Sequence, residues 1–116
     1  MSPAVQLEAS EAEKGILDWT GQSGRHYRLV PDSLPGFQLS DSQVHVLVCG
    51  DVAIWAGSAG EVVNDPHSRA RFRAAMERDV VVYRLEPTPE EDVRAMVAWD
   101  IVNGVSTASM PLRLVG

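Results

Sequence analysis

The sequence predicts one α/β (α+β) domain in which a small mixed or antiparallel sheet with a central hairpin is covered by two main helices. Two observations predict it. Short β-rich runs at residues 27–30, 43–56 and 80–85 are separated by turn-forming residues, and helix-capping signals precede the segments 66–79 and 89–103. A chain of 116 residues holds one hydrophobic core, and 45% apolar with 22% charged residues is typical of a globular domain.

The ends of the chain and its charge limit the classes of partner. Residues 1–17 lack a sustained period and are predicted to form a flexible N-terminal arm, so the single domain covers residues 18–116. The net charge of −6 disfavours nucleic acid, although charge can be segregated on a surface. No apolar run approaches the ~20 residues that cross a bilayer, and the acidic N-terminus differs from a signal peptide. A cytoplasmic protein with no membrane partner is expected.

The hairpin is the clearest local feature. Residues 43–49 and 52–56 are both apolar runs, and a Gly-Asp pair forms a tight turn between them. Because apolar residues occupy positions of both parities in each run, the hairpin is expected to be central and covered on both faces. Cys49, the one cysteine, lies in the first run and is expected to be a small buried side chain of a reducing compartment.

The first helix carries a clear start signal. Asp65 is a good N-cap and Pro66 suits the first helical position, which predicts a helix over residues 66–79. Residues 57–60 (Gly-Ser-Ala-Gly) lie between the hairpin and this helix. They lack the lysine of a phosphate-binding loop, so an ordinary strand-to-helix turn is predicted there.

The second helix is predicted from a capping box. Thr88 and Glu91 form the box around a proline, and Gly104 supplies the C-cap of a helix that reaches about residue 103. The tail at residues 110–115 alternates in polarity and predicts a last strand. The residues expected to be buried on this helix are Val93, Met96, Val97, Ile101 and Trp99.

The stretch Trp19-Thr20-Gly21-Gln22-Ser23-Gly24-Arg25-His26-Tyr27 resembles the lead-in of small bacterial proteins of the GIY-YIG nuclease superfamily. The resemblance covers residues 19–104 in element order. It implies that the hairpin, with Val44-His45-Val46 and Trp55-Ala56-Gly57, corresponds to the two strands that carry the family's Gly-(Ile/Val)-Tyr and Tyr-(Ile/Val)-Gly motifs.

The same resemblance implies that the nuclease centre has been lost. Trp55 stands where a tyrosine is expected, and an indole donates a proton but cannot accept one. Asp65 stands near the position of the family arginine that steadies the phosphate. Ala98 stands where the family glutamate holds the divalent metal, and a methyl group supplies no metal ligand. The chain is thus interpreted as a divergent member without catalytic residues or a cofactor.

The candidate binding residues are basic or aromatic. Arginines cluster on the first helix, and two more lie near the first strand. Such a cluster is most often a solvated face, and otherwise docks a phosphate or an acidic partner. Trp19 and Trp55 are most simply packing residues of the core or its rim, and if one of them is exposed it would instead mark an interface. The predicted binding residues are Arg69, Arg71, Arg73, Arg78, Trp55, Arg25 and Arg28.

Three functions remain open at the level of sequence. The preferred one is a non-catalytic, regulatory domain that binds a protein, or less favourably nucleic acid, through the arginine helix and the groove beside Trp55. The alternative is a divergent Mg²⁺-dependent nuclease or phosphodiesterase that uses His45, Arg69 and a carboxylate, Asp100 first among them, with Glu90 or Glu91 as substitutes. The third is a structural or oligomerisation module, and the sequence does not predict an oligomeric state.

Overall fold

The computed structural model describes residues 15–32 and 39–107. Its sheet has six strands in the order β4-β3-β5-β2-β1-β6, and neighbouring strands all pair antiparallel. The sheet curls until its two edge strands, β4 and β6, approach each other. The strands are β1 (Leu17–Thr20), β2 (His26–Pro31), β3 (His45–Cys49), β4 (Val52–Gly57), β5 (Val81–Glu86) and β6 (Val105–Ser106).

The helices cover both faces of the hairpin. They are α1 (Ala59–Asn64), α2 (Pro66–Met76) and α3 (Arg94–Val102), and a 3-10 turn (Glu91–Val93) precedes α3. Val46 and Val48 of β3 belong to the core cluster under α3, whereas Leu47 between them belongs to the cluster under α2. Alternate side chains of one strand therefore enter different clusters, which confirms that the apolar positions of both parities are buried.

The start of α2 is built as the sequence predicts. The Asp65 carboxylate accepts hydrogen bonds from the backbone amides of His67 and Ser68 at 3.0 and 3.3 Å, and Pro66 follows it at the first helical position. The side chain thereby satisfies two amides that have no partner inside the helix, and its charge suits the helix N-terminus.

Replacing Asp65 with alanine is expected to destabilise the domain by ~1 kcal/mol, the usual effect of removing an N-cap. Chemical denaturation at neutral pH measures it, and Asp65→Asn serves as the matched control because asparagine caps about as well. If the alanine variant unfolds at the same denaturant concentration as the parent, Asp65 does not stabilise the start of α2.

Several predicted features differ from the structure. The hairpin lies at one end of the strand order, because β4 pairs with β3 alone while β3 also pairs with β5. The helix α1 begins at Ala59, inside the stretch 57–60 that was predicted to be a plain turn, and continues to Asn64. The predicted helix start at residue 89 is also wrong, because the chain is extended at Glu90 and winds first into the 3-10 turn without a side-chain cap.

Two short strands at the other end of the sheet were not predicted. β1 begins at Leu17, inside the segment predicted as an arm, and pairs with β2, while β6 is only two residues long. The arm at residues 1–14 and the tail strand at 110–115 lie outside the described residues. Among the helices of the described segments, none combines the length and the apolar character needed to cross a membrane.

Candidate functional site

A groove of about 470 Å³ opens where α3 passes over the hairpin, with α1 and α2 on its other side. We call it the hairpin groove. Strand β4 forms its floor, and it contains one carboxylate and one guanidinium group. Its lining residues are Ile54, Trp55, Ala56, Glu61, Arg71, Ala95, Ala98, Trp99, Val102 and Asn103.

The floor of the hairpin groove contains buried apolar side chains. Trp55 is 2% exposed, its indole donates to the Ser68 hydroxyl at 3.1 Å, and its ring meets that of Phe72 edge-on with centroids 4.9 Å apart. Ala98 of α3 is also buried and lines the same groove. Trp55 is therefore a packing residue whose indole N–H is already used in a hydrogen bond. Where α3 faces the hairpin, Ala98 presents only a methyl group.

Glu61 and Arg71 give the hairpin groove its charge. The Glu61 carboxylate accepts a hydrogen bond from the Ser58 amide at 3.3 Å, as part of the α1 start. Burial raises the pKa of Glu61, and the charge of Arg71 acts in the opposite direction. Arg71 is exposed and forms no salt bridge within the described residues. Its guanidinium is thus available to a carboxylate that enters the groove.

Trp99 stands between this groove and a second one. It is 59% exposed, and the neighbouring Met96 is 63% exposed. The second groove, of about 420 Å³, lies on the other side of α3, and we call it the lead-in groove. Its lining residues are Ser23, Arg25, Tyr27, Val93, Met96, Val97, Trp99 and Asp100. The prediction that Met96 and Trp99 are buried is therefore wrong.

Asp100 joins α3 to the turn between β1 and β2. Its carboxylate accepts hydrogen bonds from the Ser23 amide, the Ser23 hydroxyl and the Tyr27 hydroxyl, each at 2.7 Å. Burial alone raises the pKa of Asp100, but these bonds and the charge of Arg25 outweigh it and hold the pKa below its usual value. Burial and the Asp100 carboxylate raise the pKa of Tyr27 to about 12, so its hydroxyl remains a donor at neutral pH.

Small residues let the same two elements approach closely. A Cβ on Gly21 would collide with the Asp100 carboxylate, and a Cβ on Gly104 would collide with the Thr20 carbonyl. The Trp19 indole donates to the Ile101 carbonyl at 2.8 Å. The Trp-Thr-Gly-x-Ser-Gly stretch thus has a structural use in this chain, because it holds the C-terminal half of α3 against β1.

The residues of the alternative nuclease prediction do not meet in the hairpin groove. His45, Arg69 and Asp100 are all absent from its lining. The Arg69 guanidinium donates to the carbonyls of Val62 and Val63 at 3.0 and 3.1 Å, at the end of α1. It holds two helices together, and that position corrects the expectation that Arg69 belongs to an exposed arginine face.

His45 is engaged at the start of β3. It is 1% exposed, its Nε2 accepts a hydrogen bond from the Ser40 amide at 3.0 Å, and its Nδ1 lies 3.7 Å from the Asp32 carboxylate. Burial lowers the pKa of His45, with Asp32 opposing and Arg84 reinforcing that shift. A neutral ring whose Nε2 already accepts a backbone hydrogen bond is a structural residue and a poor general base.

The other predicted binding residues are spread over the surface. Arg73 is exposed and does not line the hairpin groove, and the Arg78 guanidinium lies 3.8 Å from the Cys49 sulfur. Arg28 lies beside Glu86 of β5 and lines neither groove. Of the predicted set, Trp55 and Arg71 line the hairpin groove and Arg25 lines the lead-in groove.

Three residues of the two grooves were not predicted from the sequence as site residues: Glu61, Met96 and Trp99. A signal for the last two was present, because the apolar residues at positions 96, 97, 99 and 101 of α3 cover more of the helix circumference than one buried face needs. An apolar excess of this kind leaves some large side chains in solvent. No comparable signal marks Glu61, whose place follows from the unpredicted α1.

Comparisons with known proteins assign no family. No family model, no curated protein and no solved structure gives a significant match to the chain. Within the described segments, no three His, Cys, Asp or Glu side chains are grouped closely enough to hold a metal ion. The site must therefore be interpreted from its own geometry.

Proposed function

We propose that this chain is a non-catalytic domain that binds a protein partner at the face of α3 carrying Met96 and Trp99, on a scaffold similar to that of GIY-YIG nucleases. One observation carries the proposal. A 59% exposed tryptophan stands at the rim of a groove that also presents an exposed arginine. Tryptophan and arginine are the residue types most enriched where protein interfaces concentrate their binding energy.

The contents of the groove support binding over catalysis. Trp55 of β4 and Ala98 of α3 both line the groove. The first contributes an indole that is already hydrogen-bonded to Ser68, and the second contributes only a methyl group. Asp65, near the position where the resemblance places a phosphate-binding cation, caps α2. The placement of the hairpin opposite Ala98 supports the likeness to a nuclease whose centre has been dismantled.

The chemistry of the face supports a protein over nucleic acid. Met96 and Trp99 offer apolar surface, whereas binding to a phosphate backbone depends on many lysine and arginine contacts. Arg69, Arg71, Arg73 and Arg78 do not form one such surface, because Arg69 is bonded to α1 and Arg71 alone among them lines the groove. The net charge of −6 opposes the approach of a polyanion.

We expect the purified protein to leave supercoiled plasmid DNA and labelled RNA intact in the presence of Mg²⁺ or Mn²⁺. Each missing charge-stabilising group typically costs about 10²–10³ in rate, and both the cation and the metal-holding carboxylate have been replaced. His45→Ala and Arg69→Ala are the control variants, because the nuclease alternative assigns its chemistry to these residues. Cleavage by the parent that both variants lose would establish the nuclease alternative.

We expect Trp99→Ala to weaken capture of the partner by about tenfold or more, since truncating a central interface tryptophan typically removes at least ~2 kcal/mol. Val63→Ala is the matched control, because Val63 is 70% exposed and lies outside both grooves. The measurement is affinity capture from lysate with quantitative mass spectrometry of each captured protein. Equal capture by both variants would exclude the α3 face as the binding surface.

A further inference from the structure

We infer that the part of the partner bound here is a linear acidic segment in which one apolar side chain lies between carboxylates, and that this segment crosses α3 at Trp99. The inference rests on the proposed function and names the chemistry of the partner. It depends on three features of the face: two grooves that share one tryptophan, an arginine in each groove, and carboxylates that are already engaged inside the protein.

The two grooves make the face suited to an extended occupant. Trp99 lines both of them, so it forms a ridge between depressions of about 470 and 420 Å³. Met96 lies in the lead-in groove and extends the apolar surface of the ridge. A segment that crosses the ridge places an apolar side chain on Trp99 and Met96, and its neighbouring residues on either side fall into the grooves.

Each groove presents one exposed arginine. Arg71 lines the hairpin groove and Arg25 lines the lead-in groove, and neither forms a salt bridge with any residue that the structure describes. Guanidinium groups bind carboxylates through paired, charge-assisted hydrogen bonds. The two arginines therefore favour a carboxylate on each side of the apolar residue.

The two arginines are more exposed than the carboxylates that line the same grooves. Asp100 is 5% exposed, and its oxygens accept hydrogen bonds from Ser23 and Tyr27. Glu61 is half-buried and accepts from the Ser58 amide. The acidic residues of the 3-10 turn, Glu91 and Asp92, line neither groove. The most exposed charged group in each groove is thus its arginine, even though the charges of Glu61 and Asp100 act on Arg71 and Arg25 and the chain as a whole is acidic.

Selection from a displayed library of random dodecapeptides tests the inference. The parent protein is expected to enrich peptides in which a Leu, Ile, Phe or Trp is flanked on both sides by Asp or Glu. The double variant Arg25→Glu, Arg71→Glu is expected to enrich Lys and Arg at the same flanking positions. A parent pool without acidic enrichment, or an unchanged preference in the double variant, would overturn the inference.

The quantitative control is the affinity for one enriched acidic peptide, measured by fluorescence anisotropy. Arg71→Glu is expected to lower the affinity for the peptide by about tenfold or more, and the affinity of the parent is expected to fall at high salt. Replacing the exposed Arg73 on the same helix with Glu is expected to change the affinity by less than about twofold. Equal effects of the two variants would contradict a site at the hairpin groove. Circular dichroism of each variant verifies that the fold is retained.

The outcomes separate this inference from the proposed function. If capture depends on Trp99 but the selected peptides are basic, uncharged or absent, the partner is bound at this face without an acidic segment, and only the inference fails. The same holds if a second copy of the chain occupies the face, which appears as a dimer that Trp99→Ala dissociates. If neither capture nor peptide binding depends on Trp99, both proposals fail.

Discussion

Replacing Asp100 with alanine is expected to destabilise the domain by about 3 kcal/mol or more, since hydrogen bonds to a charged acceptor contribute about 1.5–3 kcal/mol each and are not additive. The substitution removes the carboxylate that accepts three hydrogen bonds. The Tyr27 hydroxyl, the Ser23 hydroxyl and the Ser23 amide then lose their acceptor. Between residue 100 of α3 and the turn, the hydrogen bond from the Gln22 amide to the backbone carbonyl at 3.1 Å then remains. Chemical denaturation of parent and variant at neutral pH measures the difference.

Asp100→Asn separates the charge of this side chain from its shape. The pKa of Asp100 is lowered in the folded protein, so its contribution to stability is complete above the ordinary carboxyl pKa of about 4. It is lost as the pH falls through the lowered value. The stability gap between the parent and Asp100→Asn should therefore be widest near neutral pH and narrow below about pH 4. A gap that stays constant over this range would show that the charge of Asp100 does not hold the turn.

Replacing Gly104 with alanine is expected to destabilise the domain by about 3 kcal/mol, at the upper end of the usual cost of overpacking. The added methyl group would collide with the Thr20 carbonyl and come within 2.7 Å of the Gly21 Cα atom. Both are backbone atoms that cannot rotate aside as a side chain can. The end of α3 would have to move away from β1, with loss of the bond between Trp19 and the Ile101 carbonyl.

Gly60→Ala is the matched control for Gly104→Ala. Gly60 lies within α1, and the closest atom to an added methyl group is the end of the Asp41 side chain at 3.1 Å. That exposed side chain can move, and alanine favours a helix by up to about 1 kcal/mol relative to glycine. In thermal unfolding, the midpoint temperature of Gly104→Ala should lie far below that of the parent, and that of Gly60→Ala should equal or exceed it. If the two variants unfold at the same temperature, the close contact of α3 with β1 is not important for stability.

The parts of the fold that short-range chemistry determines could be predicted from the sequence. The hairpin follows from two apolar runs around a Gly-Asp turn, and Gly50 indeed has a positive φ of 64°. The start of α2 follows from Asp65 and Pro66. β1 and β6 could not be predicted in this way, because a strand of four residues and one of two are defined by the partners they pair with.

The candidate site depends on long-range contacts, which limits what sequence patterns can predict. Arg69 and Arg71 look equivalent along the chain, yet the first binds the carbonyls at the end of α1 and the second faces the hairpin groove. The exposure of Trp99 follows from the rotation of α3, to which the hydrogen bonds of Asp100 with Ser23 and Tyr27 contribute. Asp100 is a candidate catalytic residue only in the nuclease alternative, and in the structure its carboxylate accepts hydrogen bonds from Ser23 and Tyr27.

The most direct test of a protein-binding site at the α3 face is site-specific photo-crosslinking. A photoreactive amino acid replaces Ala95, which is exposed and lines the hairpin groove, and in a control variant it replaces Val63, which is exposed outside both grooves. After irradiation in lysate, we predict a protein adduct at position 95 that is absent at position 63 and that Trp99→Ala eliminates. Adducts confined to position 63, or adducts at position 95 that consist of nucleic acid, would contradict a protein-binding groove.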